Sequence, residues 1–239
     1  KRIILDTDTY NEVDDQFALA YAVMHPQINL LSINAAPFFN DRAQSPCDGM
    51  EKSYKEIENI LELMNLSGRY PIYKGSDRFL AGERVPVDSP AARNIIRTAQ
   101  EAEELVYVVA IGAITNVASA LMLAPEIKEK IAVVWLGGNS LLRDSPEFNM
   151  AQDVMAAKVV LESGVPFIQL PASGVVSALA TTIPELEYYL AGKNKLCDYL
   201  VDYTEKEGAL GSKNSCWTRV IWDVTAVAWL LDESFMEDK

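Results

Sequence analysis

Histidine is the scarcest functional residue in this chain: one, His25, in 239 residues. Pro26 follows it at the end of an apolar helical stretch, where His25 reads as a helix-end residue. Chemistry that needs imidazole, such as a Ser-His-Asp triad or a histidine-rich zinc site, is set aside on this ground. Cysteine is almost as sparse, with Cys47, Cys197 and Cys216 and no CxxC pair. An odd, scattered set predicts reduced thiols and a cytoplasmic protein rather than a disulfide framework. No apolar run reaches the roughly eighteen residues of a membrane span. The first residues read as a strand, not as a signal peptide. Basic residues are few beside acidic ones, 21 against 34, for a net charge of −13. That balance argues against a nucleic-acid backbone or an anionic membrane as partner, and it suits a cation site and a small neutral ligand. The composition, 49% hydrophobic and 23% charged, supports one large α/β domain spanning 1–239 with a full core.

The acid is concentrated at the start, in KRIILDTDTYNEVDD (1–15). Arg2 to Leu5 reads as a short buried strand, and Gln16 to Met24 has the apolar spacing of a packed helix. Between them stand Asp6, Asp8, Asp14 and Asp15. In a parallel α/β sheet, ligands sit just beyond the carboxyl ends of strands. Four carboxylates there repel one another unless a positive charge lies between them. Oxygen ligands at that density suit Ca²⁺ or Mg²⁺ better than zinc. Helix capping by Asp14 or Asp15 accounts for one carboxylate, not for four.

Strand and helix patterns then alternate, with no repeat and no linker. Strands are expected over Ile28–Ala36, Pro71–Tyr73, Leu105–Ile111, Ile131–Leu136 and Val165–Leu170. Helices are expected over Met50–Met64, Pro90–Glu101, the stretch ending at Leu123, the stretch from Asp153 to Ser163 with Asp153 as its cap, Pro184–Leu190, Lys195–Glu205 and Val220–Leu231. Gly75–Ser89 reads as a long polar loop of the kind that forms lids, and Gly208–Ser215 as a mobile link. The pattern predicts a mostly parallel central sheet flanked by helices, a Rossmann-like architecture. Five places collect polar groups at strand ends: the Asp cluster, Asn40, Thr115-Asn116, Glu147 to Asn149, and Asp223. Asp223 interrupts VIWDVTAVAWLL (220–231), and a carboxylate in an apolar helix costs several kcal/mol, by order of magnitude, unless paired or on a metal. A core Asp bonded to backbone is the plain alternative; an acidic cluster in need of a cation favours ligation.

The chain resembles the inosine-uridine-preferring nucleoside hydrolases, from Ile3 to about Leu231. DTDTYNEVDDQFAL is similar to that family's N-terminal DxD…DD signature, and GAITNVA (112–118), WLGGN (135–139), PEFNMAQD (146–153) and WDVTAVAWLL (222–231) match further family motifs in order. The resemblance implies a Ca²⁺ held by Asp8, Asp15, the backbone oxygen of Thr115 and Asp223. Asp8 would act as general base on a water held by the ion, which attacks C1′ of a ribonucleoside through an oxocarbenium-like transition state. Asp14, Asn40 and Asn149 would hold ribose hydroxyls and Glu147 the 5′-hydroxyl, while Asp6 would support the loop. Homo-oligomers, dimers or tetramers, are usual in such a family.

The departures are specific. Five residues without glycine, Thr9 to Val13, separate Asp8 from Asp14, where the family usually has three; the loop must bulge, and Tyr10 or Asn11 would reach the nucleoside. Trp222 stands where many members carry a histidine, the proposed acid for the leaving base. Purine-specific members place a stacking Trp there, worth roughly 1–3 kcal/mol by analogy with base–aromatic stacking. Core packing explains Trp222 equally well. The segment from Gly137 to Asn149 is shorter than usual, and family members usually continue beyond the Asp223 helix, so part of the pocket wall is expected to be missing. Two alternatives stand beside this reading. One is a nucleoside- or ribose-binding protein on the same scaffold. The other is a haloacid-dehalogenase-like phosphatase, suggested by Asp6-Thr7-Asp8-Thr9 but weakened by Tyr10 and by a doubled aspartate that comes too early.

Overall fold

The computed structural model describes residues 1–141, 143–211 and 218–235. Six strands form one sheet: β1 (Arg2–Thr7), β2 (Asn29–Ala35), β3 (Ile72–Lys74), β4 (Val106–Ala110), β5 (Ile131–Leu136) and β6 (Phe167–Leu170). Their order is β3-β2-β1-β4-β5-β6, and every neighbouring pair is parallel. The near-continuous apolar runs of β1, β4 and β5 place them at the centre, because both faces of these strands are covered. Ile4, Val108 and Val133 face a layer containing α3 (Pro90–Glu101), α4 (Thr115–Leu123) and α6 (Val154–Ser163). Ile3, Leu5, Val109 and Val134 face the other layer, with α1 (Asp14–Met24), α2 (Pro46–Leu63), α8 (Lys195–Gly211) and α9 (Val224–Trp229). A short α5 (Phe148–Gln152) and α7 (Ile183–Leu190) complete the helices used below.

The strand order reverses between β1 and β4, and a crevice opens at the carboxyl ends of two strands that diverge in this way. Asp8 leaves β1 on one side of it, and Ile111-Gly112 leaves β4 on the other; Ile111 N–H donates to Asp6 O at 2.9 Å, so the two exits run together. The acidic cluster therefore lies at the topological switch point.

Several boundaries differ from expectation. Helix α2 starts at Pro46, because Ser45 accepts from Asp48 N–H and Pro46 suits the first turn. Helix α8 continues to Gly211 through part of the expected link, and residues 212–215 lie outside the described residues. The Gly75–Ser89 loop is anchored at three points: Ser76 N–H and Oγ donate to Asn116 Oδ1, Leu80 N–H to Asp153 and Val87 N–H to Ser119. The main correction concerns Val220–Leu231. Instead of one helix, β8 (Thr218–Val220) pairs antiparallel with β7 (Ala180–Thr182), the chain turns, and α9 begins only at Val224. Asp223 is thus at the start of a helix, not inside an apolar one, and its side chain makes no capping bond. No described helix is long and apolar enough to cross a membrane.

Gly112 is the tightest point of the crevice. A Cβ there would lie 2.8 Å from Asp8 Cγ and Oδ1, and Asp8 is 1% exposed. Gly112→Ala should cost about 1–3 kcal/mol through this overlap. An unchanged urea midpoint for that variant would mean that Asp8 does not pack there.

Candidate active site

The first turn of α1 begins the site. Val13 occupies its N-cap without a side-chain bond, and Asp14 and Asp15 are the first two helical residues. Carboxylates at this end meet free N–H groups and the positive end of the helix dipole. Thr7 Oγ donates to Asp15 Oδ1 at 2.5 Å and shares a hydrogen bond with Thr9. A tight turn, Asn11 N–H to Asp8 O at 2.7 Å, folds the loop back over β1. Packing of α9 on α1 brings in the distant partner, and Asp223 N–H donates to Asp14 Oδ2 at 3.2 Å. Oxygens of Asp14, Asp15 and Asp223 all lie within 4.8 Å of one another.

These carboxylates are buried and under-compensated. Both oxygens of Asp8 are buried without a hydrogen-bond partner. Burial, then the charge of Asp15, pushes Asp8 well above the usual carboxylate range. Burial, then Asp14, does the same to Asp223. Asp14 is raised to about 8 by burial and by Glu12 and Asp15, against the pull of Arg219. Asp15 is raised to about 6, burial outweighing the Thr7 hydrogen bond. Asp6 is raised to about 7 by burial, although Asn116 donates to its Oδ1 at 2.8 Å. An all-oxygen donor set with orphaned, mutually repelling acids fits a hard divalent cation.

The remaining predicted residues fall into two groups. Asn11, Glu147, Asn149 and Trp222 line a cleft of about 230 Å³ together with Asp8, Asp14, Asp15 and Asp223. Asn149 Nδ2 donates to Ile111 O and Leu136 O, which bridges the ends of β4 and β5. Glu147 caps α5, a helix not expected from the pattern, and accepts from Asn149, Met150 and Gly138 N–H groups. Asn40 and Thr115 are not in that wall. Asn40 reaches the wall through Asn11, donating to its Oδ1 at 2.7 Å. Thr115 opens α4 and donates its hydroxyl to Asp153, which also caps α6 as expected. Within the closest acidic trio the structure sets Asp14 rather than Asp8 beside Asp15 and Asp223.

Two charged residues escaped the sequence reading. Glu12, noted only as loop, lines the cleft and is ion-paired with Arg219 of β8. The Arg219 guanidinium lies 3.9 Å from Asp14 and 5.4 Å from the Trp222 ring centroid. Nothing in the spacing shows this, because Glu12 and Arg219 are 207 residues apart.

A family model for inosine-uridine preferring nucleoside hydrolases matches residues 3–239. The chain belongs to this family. Among curated relatives, the pyrimidine-specific ribonucleoside hydrolase RihA of Escherichia coli O1:K1 / APEC is 26% identical over 266 residues, covering 96% of this chain and 79% of the relative. Among solved structures, a plant nucleoside hydrolase, the PpNRh1 enzyme, superposes with a TM-score of 0.80 at 20% identity, covering 99% of this chain and 80% of that one. The purine-preferring ribonucleoside hydrolase from Gardnerella vaginalis gives 0.78 at 24% identity, with 98% and 81% covered. A nucleoside hydrolase is an N-glycosyl hydrolase, so the cleft at the switch point is the place to look for a nucleoside. Membership also removes the phosphatase alternative as a reading of Asp6 and Asp8.

The buried acids set the pH response of this nucleoside hydrolase without metal. Their folded pKa values lie above the unfolded value, so the folded state binds more protons. The associated stability is complete below about pH 4 and is lost as pH rises through about 6 to 8, the range to which Asp15, Asp6 and Asp14 are raised. In chelator, melting temperature should fall from pH 5 to pH 8, and excess divalent cation should raise it more at pH 8 than at pH 5. The reverse order would remove the cluster as a cation site.

Proposed function

We propose that this chain hydrolyses the N-glycosidic bond of ribonucleosides to ribose and free base in a Ca²⁺-dependent reaction, with Asp8 as general base. The observation that carries the reading is the Asp8 carboxylate, buried at the switch point with neither oxygen partnered, facing a cleft that it shares with Asp14, Asp15 and Asp223. Asp8, Asp15, Asp223 and the Thr115 carbonyl would hold the ion. Oxygen donors alone, with no histidine or cysteine among the described wall residues, favour calcium over zinc. When bound, calcium neutralises the acids and lowers the pKa of a water at the site.

The chain's own groups then divide the work. Asp8 takes the proton of the attacking water, because its desolvated carboxylate is a stronger base than a solvated one. Asp14 accepts from a ribose hydroxyl. Asn149 has its Nδ2 committed to two carbonyls, which leaves Oδ1 for a second hydroxyl. Asn40 acts with Asn11 as a hydrogen-bonded amide pair at the rim, and Glu147 takes the 5′-hydroxyl. Trp222 forms the wall for the base. His25, at the far end of α1, cannot serve as acid for the leaving base, so solvent protonates it. The relatives named above differ in the base they act on, and stacking on Trp222 requires only an aromatic ring. A homo-oligomer, dimer or tetramer, in the cytoplasm completes the proposal.

Release of reducing sugar from inosine, adenosine, guanosine, uridine and ribosylnicotinamide with Ca²⁺ tests it. Asp8→Asn should lower kcat by about 10²–10⁴-fold, the usual contribution of a general base, with the fold retained by circular dichroism. Retained turnover would take Asp8 out of that role. Asp223→Ala should lose calcium binding by calorimetry. Binding of nucleoside without release of ribose would instead favour the non-catalytic binder.

The wall also sets the substrate's charge. Six acids line the cleft (Asp8, Glu12, Asp14, Asp15, Glu147 and Asp223), and no Lys, Arg or His does among the described residues. Even with a divalent calcium bound, the six acids leave the wall negative, and a 5′-phosphate would meet like charge, worth several kcal/mol. Inosine 5′-monophosphate should therefore show kcat/KM at least about 100-fold below inosine. Comparable values for the two would mean that a cation enters the cleft from elsewhere.

A further inference from the structure

Arg219 belongs to a two-stranded hairpin outside the main sheet, in register with Thr181. An arginine on such a strand ordinarily extends into solvent. This one is 24% exposed at its side chain and crosses to the acidic loop, where it pairs with Glu12 and approaches Asp14. Its guanidinium sits 5.4 Å from the Trp222 ring centroid. Its Nε is buried and has no hydrogen-bond partner. The guanidinium has therefore not been placed to complete its own hydrogen bonds. The ring and the two carboxylates fix it. Arg219 itself is absent from the cleft wall, whereas Glu12 and Trp222 both line it.

We propose that Arg219 is a positioning residue for the base half of the pocket, acting through Trp222. A cation over an indole face holds the ring electrostatically, and Glu12 holds the cation. The half-buried Trp222 is thereby kept in one orientation before the base arrives, and a preorganised wall loses less freedom on binding. Glu12 and Trp222 are held by one planar group, whereas Asp14, 3.9 Å away, lies beyond hydrogen-bond reach of it, so the positioning acts on the wall for the base and not on the sugar end. The inference rests on the nucleoside reading given above.

The test uses the full chain with Ca²⁺ and measures KM and kcat for inosine, with affinities for inosine and for free ribose by calorimetry. Arg219→Gln should weaken inosine about tenfold, mainly in KM, and leave ribose within about twofold; Arg219→Lys should recover most of the loss, because an ammonium also binds an indole face. In a Trp222→Ala background, Arg219→Gln should change inosine affinity less than about twofold, since coupled residues are not additive. Equal weakening of ribose and inosine, or an undiminished effect without the indole, would overturn the proposal, as would no effect in the single variant. If Arg219→Gln does not fold, Glu12→Gln decides: it should reproduce the inosine-selective loss at smaller size, and an unaltered inosine affinity would count against the proposal. Wild-type protein that binds inosine without releasing ribose defeats the hydrolase reading, while the affinities still decide the role of Arg219. A wild type that binds no nucleoside overturns both.

Discussion

Buried negative charge without compensation is the constraint on which the rest of this molecule depends. Asp8, Asp14, Asp15 and Asp223 are each 1–4% exposed, and they meet where β1 and β4 part. Removing an ion from water costs several kcal/mol even after relaxation, so without a cation these acids hold their protons more tightly than solvated ones, and the surrounding structure must over-determine their placement. The over-determination is visible in the parts. The first turn of α1 places two of the acids at the positive end of a helix. Gly112 leaves the space that Asp8 fills. The α1–α9 packing delivers Asp223 from the far end of the chain.

Not every acid near the cleft carries this burden, and the contrast separates framework from chemistry. Asp153 accepts from Ala156 N–H, Leu80 N–H and the Thr115 hydroxyl, which ties α6, the loop after β3 and α4 into one joint. Glu147 accepts from three backbone N–H groups. Protein donors satisfy Asp153, and they fix Glu147 while leaving it an acceptor site open to the cleft; the protein gives Asp8 no donor at all. A buried polar group that its own fold leaves unpaired is the mark of a group kept for a partner from outside.

Much of this was legible in the chain. Apolar runs such as Ile131–Leu136 and Ser89-Pro90 at the start of α3 carry their own local signals, and those elements were found where expected. The acids of the first fifteen residues were legible as a cluster because charge density needs no tertiary information. The stretch before Asp223 differs from expectation because Val220 and Ile221 suit a strand and a helix equally by hydrophobicity. Pairing with β7, about forty residues earlier, decides between them, and no local pattern encodes it. Glu147 and Asn40 were recognised as polar loop residues, but whether such a side chain faces a cleft or braces a neighbour depends on which backbone groups lie within reach. Arg219 was invisible for the same reason: its meaning comes from Glu12 and Trp222, not from its neighbours in sequence.

The loop between Asp8 and Asp14 brings these points together. Five residues without glycine predict a bulge, and the bulge is held from two sides, by the loop after β2 and by β8. Tyr10 O accepts from Arg42 at 3.5 Å, Asn11 from Asn40 at 2.7 Å, and the Glu12 carboxylate from Arg219. Arg42 is itself held by Tyr203 and Glu207 of α8, so the anchorage reaches the outer helical layer. A longer loop costs only a little extra closure entropy, since that cost grows slowly with length, and a few charge-assisted bonds offset it. What the bulge adds is surface: Asn11 and Glu12 enter the cleft wall, where a three-residue turn has fewer side chains to offer. The bulge therefore adds side chains to the cleft wall while Asp14 and Asp15 keep carboxylate oxygens within 4.8 Å of Asp223.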